Sequence, residues 1–461
     1  MNAASRLVFA SVLAGSTVAA ASDGSVDTTF GNGGSARSGR TDVANRFDAG
    51  PIVQPDGKIL ACSQVLDDGP SGSDFFVVRF DADGALDDTF SFDGSLAIDF
   101  DEGQGADVCT AIALQSDGKI LVAGYTSTTD ATGEDFAVAR IDSDGTLDTT
   151  FGNGTGKTTV GFDLDGGTGS DEATAIAVQA DGRIVVAGTA AKADGGFDFA
   201  VVRMLTDGTR DSSFNLTGKV NFGFNISGGL AELDEASSVA VDSDGRLIVG
   251  GTAIYEAVSE FAAARLLPNG QFDANFHANG RTTISFDPGN GTSAANSYGL
   301  LIDQDGRIVL VGAASSSPYV TGNSDMAVAR LLPDGSVDDG FGTGGRVLVP
   351  FDLAPNGTDV ALGVVEQSDR KLILSGMAVD GGTDFAAAAR LHDDGTLDAS
   401  FGSLGKQTYD FGLSSANLQA FRNVALQGTQ IIAGGISYVP GGVDMFVARL
   451  NVDLIFADGF E

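Results

Sequence analysis

Carboxylates dominate the residues with which this chain could do chemistry. Asp81, Asp83 and Asp87 sit in an Asp-x-Asp-Gly-x-x-Asp segment that recurs as Asp142, Asp144 and Asp148. Oxygens clustered this closely suit a hard cation such as calcium. Neither copy has the full spacing or the bidentate Glu of a calcium loop, and Asp-Gly is also ordinary turn chemistry. A second set comprises Asp101, Glu102, Asp163, Asp165, Asp171, Glu172, Glu232, Asp234 and Glu235. Converging in one pocket with shifted pKa, such carboxylates would serve a hydrolase or lyase. Spread over a face, they would draw a basic partner. His277 and His392 have no partner group, and there is no Ser/His/Asp order, His-Glu-x-x-His or phosphate loop. No catalytic residue and no cofactor is assigned, with calcium left open. Cys62 and Cys109 fit either a bridge between neighbouring units or two buried thiols.

The elements that must position these groups follow from a repeat. A segment like "DFAVAR" ends in Arg79, Arg140, Arg203, Arg265, Arg330, Arg390 and Arg449, at intervals of about sixty residues. Each copy is preceded by two apolar stretches around an Asp-Gly turn, as in "AIALQ" (111–115), Asp117-Gly118 and "KILVAG" (119–124). Asp-Gly tolerates the positive φ of a two-residue hairpin turn, so these stretches pair antiparallel. A motif such as "DGTLDTTFGNG" (144–154) follows, then "KTTVGFD" (157–163), which alternates like a half-buried strand.

Four short antiparallel strands per sixty residues predict an all-β fold: a single seven-bladed β-propeller of four-stranded blades. The chain opens on the motif and fourth strand alone (23–41) and closes on strands one to three. The N-terminal strand should therefore complete the last blade as a clasp. Residues 1–21 have the layout of a signal peptide, with Arg6, an apolar run from Leu7 to Val18, and Ala19 to Ala21. The propeller spans 22–450, and 451–461 form a tail that either docks on the rim or serves export or anchoring.

The "LDxxFGxxG" motif at this period, as in 144–154, 334–345 and 394–405, resembles the delta-60 repeat of bacterial secreted and surface proteins. The copies at 83–94 and 207–218 depart from it at Ser91, Arg210 and Asn215. The resemblance implies a propeller-like fold and brings no catalytic residue. The ending "IFADGFE" is similar to short tails of exported Gram-negative proteins.

The motif carries as many aspartates as there are strand-three arginines, Asp27, Asp87, Asp148, Asp211, Asp273, Asp338 and Asp398, and each arginine is expected to pair with the Asp that follows it or with its equivalent in the adjoining blade. A residue present in every copy cannot mark one site, so Arg–Asp pairs such as Arg140–Asp148 are expected to be structural. The motif phenylalanines are expected between sheets for the same reason. Loops one-to-two and three-to-four share a uniform side, and the other loops share a side that differs in every copy. The second carboxylate set lies there and forms the candidate binding face.

With 26 Lys+Arg against 62 Asp+Glu, the net charge of −36 excludes nucleic acid and anionic membranes as partners. No later run is long enough to span a membrane. The chain is expected to be a secreted, periplasmic or cell-surface monomer of a Gram-negative bacterium. Its expected role is a non-enzymatic scaffold for a protein or glycan partner, basic in character. The alternatives are a hydrolase or lyase with axial carboxylates and calcium, and a calcium-stabilised envelope protein.

Overall fold

The computed structural model describes residues 22–43, 49–66, 72–100, 105–127, 133–164, 169–224, 233–255, 258–287, 294–315, 324–355, 357–413, 419–440 and 442–452. The signal-peptide segment and most of the tail therefore lie outside the described residues.

The chain forms strands in antiparallel meanders. After β1 (Ser35–Arg37) come β2 (Ala49–Val53), β3 (Ile59–Leu66), β4 (Ser73–Phe80) and β5 (Ser95–Ile98). The next four are β6 (Asp107–Leu114), β7 (Ile120–Ser127), β8 (Glu134–Ile141) and β9 (Lys157–Val160). Then come β10 (Asp171–Val178), β11 (Ile184–Ala191), β12 (Phe197–Met204) and β13 (Lys219–Phe222). They are followed by β14 (Leu233–Val241), β15 (Leu247–Tyr255), β16 (Val258–Leu266) and β17 (Arg281–Ile284). Next are β18 (Ala294–Ile302), β19 (Ile308–Ser315), β20 (Asp325–Leu331) and β21 (Arg346–Val349). The last are β22 (Asp359–Glu366), β23 (Leu372–Asp380), β24 (Thr383–Leu391), β25 (Lys406–Tyr409), β26 (Gln419–Gln427), β27 (Gln430–Val439) and β28 (Gly442–Leu450). β1 pairs antiparallel with β28, in register Ser35–Ala448, so the first strand is the fourth strand of the last meander. Single parallel pairs, Phe197–Leu233 and Ser259–Ala294, join three meanders into one twelve-stranded sheet. Among the described residues no helix is long and apolar enough to cross a membrane.

Two local features differ from the sequence expectation. The Asp-Gly hairpin turns are longer than two residues. Gly118 N donates to Gln115 O at 3.0 Å and Gln115 N to Lys119 O at 2.8 Å, with Gly118 at φ +86°. This is a tight turn closed by a left-handed glycine, which keeps Ser116-Asp117 in the common turn conformation. The first strand of each meander also begins earlier than its alternation suggests, because a bulge such as Cys109/Ala111 shifts the register. The opposing Gly124 is required there: a Cβ on it would lie 1.8 Å from Val108 O.

Apolar cores fill the spaces between successive meanders. Phe30, Phe90, Phe151, Phe214, Phe276, Phe341 and Phe401 each lie, fully buried, in a different one of these cores. One core joins Ile432, Met445 and Val447 of the last meander to Ile59, Ala61, Phe76 and Val78 of the first. Cys62 in β3 and Cys109 in β6 form a disulfide, which stitches two neighbouring meanders.

Candidate functional site

The repeated polar residues form a closed network. Nε donates to carboxylate Oδ2 in every pair: Arg79–Asp87 (2.6 Å), Arg140–Asp148 (2.7 Å), Arg203–Asp211 (2.9 Å), Arg265–Asp273 (2.9 Å), Arg330–Asp338 (2.7 Å), Arg390–Asp398 (2.8 Å) and Arg449–Asp27 (2.8 Å). Each guanidinium lies over a motif phenylalanine, for example Arg140 4.8 Å from the Phe151 centroid. Each also reaches the following meander: Arg79 Nη1 donates to Ser143 O at 2.5 Å, and Arg140 to Thr206 O. Burial pushes the Asp148 carboxyl up, but Thr150, Lys119 and the Arg140 charge outweigh it and hold it well below the usual range. Donors, acceptors and charges are all used internally here, which leaves little for a ligand.

The six aspartates with calcium-like spacing do not converge. Asp87 and Asp148 are taken up by their arginines and by Lys58 (2.7 Å) and Lys119 (3.0 Å). Asp142 pairs with Lys119, Asp144 accepts from Thr146 at 2.7 Å, Asp81 is half-buried and Asp83 is exposed. A different trio does converge. Asp74, Asp99 and Asp107 bring carboxylate oxygens within 4.8 Å of one another and could offer them to a metal. They come from a strand start, a strand end and the next meander, and this dispersed spacing carries no sequence signal.

The expected acidic face divides. Asp101, Glu102, Asp165 and Glu232 lie outside the described residues. Asp163 is exposed. Asp171 and Asp234 do not belong to a surface: they are 2% and 1% exposed. Each anchors the preceding connection, accepting from Phe162 N (2.5 Å) and Phe224 N (2.8 Å) respectively. Asp107 and Asp359 do the same for Phe100 N and Phe351 N, both at 2.6 Å. Burial, with Asp135 and Asp163 nearby, pushes the Asp171 carboxyl up to about 6. Burial, with Asp325 and Asp352, does the same at Asp359, to about 6.

Glu172 and Glu235 instead line a cavity of about 960 Å³ walled by the first strands of all the meanders. Each first strand touches the next, from β2 through β6, β10, β14, β18 and β22 to β26, and β26 touches β2. Aliphatic side chains at the inner level, including Ile112, Ile176, Val239, Leu300, Val364 and Val424, make an apolar floor. The residues beside the bulges make the wall and differ from strand to strand: Thr110, Thr174, Ser237, Tyr298, Leu362 and Arg422. Glu172, Glu235 and Asn296 stand two residues nearer the strand starts, on the side of the variable loops. Glu235 is exposed at this wall, and partial desolvation by the surrounding strands raises its carboxyl above the usual range. Burial also raises the Tyr298 hydroxyl, against a hydrogen bond with Asn296. Arg422 Nε is sealed from water with no hydrogen-bond partner among the described residues. Sequence reasoning missed this wall because the bulge residues, Tyr298 and Arg422 among them, precede the apolar stretches that read as first strands.

These meanders define an all-β propeller-repeat protein. The family model described as "Domain of unknown function (DUF5122) beta-propeller" matches residues 54–90, 115–151, 179–214, 243–276, 304–341 and 367–401, so repeats of this propeller family run along the chain. Solved structures similar to it include a protein of unknown function from Dyadobacter fermentans, 11% identical, covering 91% of this chain and 98% of that one, TM-score 0.49. The polysaccharide lyase Uly1 is 12% identical, with 92% of each chain covered and TM-score 0.48. An α-L-arabinanase of Penicillium chrysogenum is 10% identical, with 74% of this chain and 92% of that one covered and TM-score 0.43. No curated protein matches the sequence.

Proposed function

We propose that the chain is an exported, seven-bladed propeller of delta-60-type repeats, closed by β1, that binds the end of a glycan in its axial cavity without catalysis. Ring closure is supported by the β1–β28 pairing, the β26–β2 contact and the core shared by the last and first meanders. Export to the periplasm or cell surface of a Gram-negative bacterium is supported by the signal-like segment at 1–21 and by the disulfide, which needs an oxidising compartment. The protein acts as a monomer and needs no cofactor in this reading. The observation that carries it is the cavity wall, where Arg422, Tyr298, Asn296, Glu172 and Glu235 face one space. The Arg422 side chain lines the cavity and can donate charge-assisted hydrogen bonds to ligand oxygens there. A planar aromatic beside planar donors and acceptors suits a ring of hydroxyl groups. The volume is that of a small-ligand site.

The test is a panel of soluble oligosaccharides titrated by calorimetry into the native chain and into Arg422→Met and Tyr298→Ala. Binding weakened at least tenfold in both variants is expected. Absence of any saccharide binding, or binding that both variants keep, refutes the reading. A second reading, a hydrolase or lyase, is favoured by the raised Glu235 carboxyl. It is distinguished by glycan cleavage that the native chain performs and Glu235→Gln abolishes.

A further inference from the structure

One structural position is filled by a basic side chain in five meanders and by serine in the last. The position is the first residue of the fourth strand, opposite the residue before the strand-three arginine. Lys157, Lys219, Arg281, Arg346 and Lys406 occupy it. Each reaches back to the preceding meander and donates to a backbone carbonyl just before a phenylalanine. Lys219 Nζ donates to Gly161 O at 2.6 Å and Arg346 Nε to Ser285 O at 2.6 Å. Lys157 donates to Asp99 O, Arg281 to Gly223 O and Lys406 to Pro350 O. The three lysine ammonium groups also sit over the phenylalanine rings, at 5.5 Å (Phe100), 5.1 Å (Phe162) and 5.5 Å (Phe351).

In β1 the same register holds Ser35, opposite Ala448. The aromatic residue of the socket is kept as Phe411, and the Asp410 carbonyl precedes it in sequence as Gly161 precedes Phe162. Among the described residues no side chain donates to the Asp410 carbonyl. In place of the lysine there is an open groove of about 660 Å³, lined by Ser35, Arg37, Phe411, Leu413 and Asp83 among others. Arg37 does not neutralise it, since Asp444 holds its guanidinium at 2.7 and 2.6 Å. The first meander is not a second case, although Ser95 stands in this register there: Arg40, not a phenylalanine, follows Gly39 in the preceding strand.

We propose that this groove is a socket for an alkylammonium group from outside the chain: the side chain of a lysine on a partner, or a free diamine. The groove supplies the aromatic residue Phe411 and, at the rim, the Asp83 carboxylate, beside the position whose carbonyl, Asp410, corresponds in sequence to the acceptors of the internal lysines. It lies on the outer strand, away from the axial cavity, and does not depend on the glycan reading.

The experiment follows the Leu413 methyl resonances of methyl-labelled full-length chain. The probes are N-acetyl-lysine methylamide, 1,4-diaminobutane and the neutral N-acetyl-norleucine methylamide. The lysine amide is expected to bind saturably, at least tenfold tighter than the norleucine amide, and Ser35→Lys, which fills the socket from within, is expected to abolish the response. Binding of the diamine without the lysine amide supports the socket and identifies a free amine as its occupant. Equal binding of the neutral probe, or an unchanged response in Ser35→Lys, overturns the proposal. Lys406→Ser provides an independent variant: it vacates the sister socket at Phe351, and 1,4-diaminobutane should raise its melting temperature more than that of the native chain. Equal effects on the two chains overturn the proposal.

Discussion

Removing Arg140 measures what the repeated ion pair contributes. Its side chain is 7% exposed and that of Asp148 is 3% exposed. Arg140→Met removes the Asp148 contact, the bond to Thr206 O in the following meander, the 3.0 Å bond to Thr150 Oγ1 and the stack on Phe151. Stranding one partner of a buried pair costs about 3–5 kcal/mol. Lys119 remains 3.0 Å from Asp148, so the cost belongs at the lower end, ~3 kcal/mol, and Lys119→Met added to Arg140→Met should reach ~5 kcal/mol. Unfolding entropy of roughly 2.1 cal/mol/K per residue gives ~1 kcal/mol/K for the 461-residue chain. The expected drops in Tm are then ~3 °C for the single and ~5 °C for the double variant, read by calorimetry at pH 7. Arg140→Met with Asp148→Asn leaves no stranded carboxylate and should melt above Arg140→Met alone. A single variant within about 1 °C of the native chain, or no gain from the added Asp148→Asn, would refute a buried charge pair.

Stability should also depend on pH through two opposed sets of aspartates. Asp171 and Asp359 have folded-state pKa raised to about 6 from 3.8, so what they contribute is full below pH ~4 and lost as pH rises through about 6. Asp171→Asn should therefore raise Tm at pH 7.5 and leave it unchanged at pH 4. Asp87, Asp148 and Asp398 are held below their ordinary 3.8, so their contribution is present above pH ~4 and lost on further acidification. A pH series of melts that lacks a maximum between about pH 4 and 6 would contradict both assignments. The disulfide closes a separation of 47 residues, which corresponds to ~4 kcal/mol of loop entropy, so Cys62→Ala with Cys109→Ala should lower Tm by ~4 °C. Phe92 is 94% exposed at φ +72°, a left-handed conformation that costs a bulky residue about 1 kcal/mol. Phe92→Asn, the residue type at the matching Asn153, should raise Tm by up to ~1 °C in the same scan.

The strands, the Arg–Asp pairs and the motif phenylalanines were legible in the sequence because each is written several times. Repetition separates a structural requirement from chance. The bulges were not legible. An inserted residue at Cys109/Ala111 breaks the period of two, so the first half of β6 looks like loop, and Asp107 reads as a loop carboxylate rather than an anchor. The same misreading placed Asp171 and Asp234 on a surface. In composition, an aspartate that accepts two backbone N–H groups in a core is the same as one in solvent. The Asp74, Asp99 and Asp107 cluster joins residues brought together only by the packing of one meander on the next.

A chain built from copies hides its function in the departures from the copy. The Arg–Asp–Phe cluster recurs with its geometry intact and has nothing left to offer a ligand. At the bulge positions the backbone is also nearly constant, yet the side chains run from Thr110 and Thr174 through Ser237 to Tyr298, Leu362 and Arg422. A fold that needed only to close its axis could repeat one small residue there, as it repeats the aliphatic floor beneath. Instead the wall holds a half-buried arginine whose Nε has no hydrogen-bond partner among the described residues, on the strand next to the one that carries Leu362. Ser35 is a second departure, a missing side chain in a socket that five sister strands fill. The two differ in kind: Arg422 is a charged group added where the other strands carry none, and the Asp410 carbonyl lacks, among the described residues, the side-chain donor that its counterparts have. Arg422 and the Asp410 carbonyl therefore stand apart from the many exposed carboxylates, whose hydration costs nothing and which need no ligand.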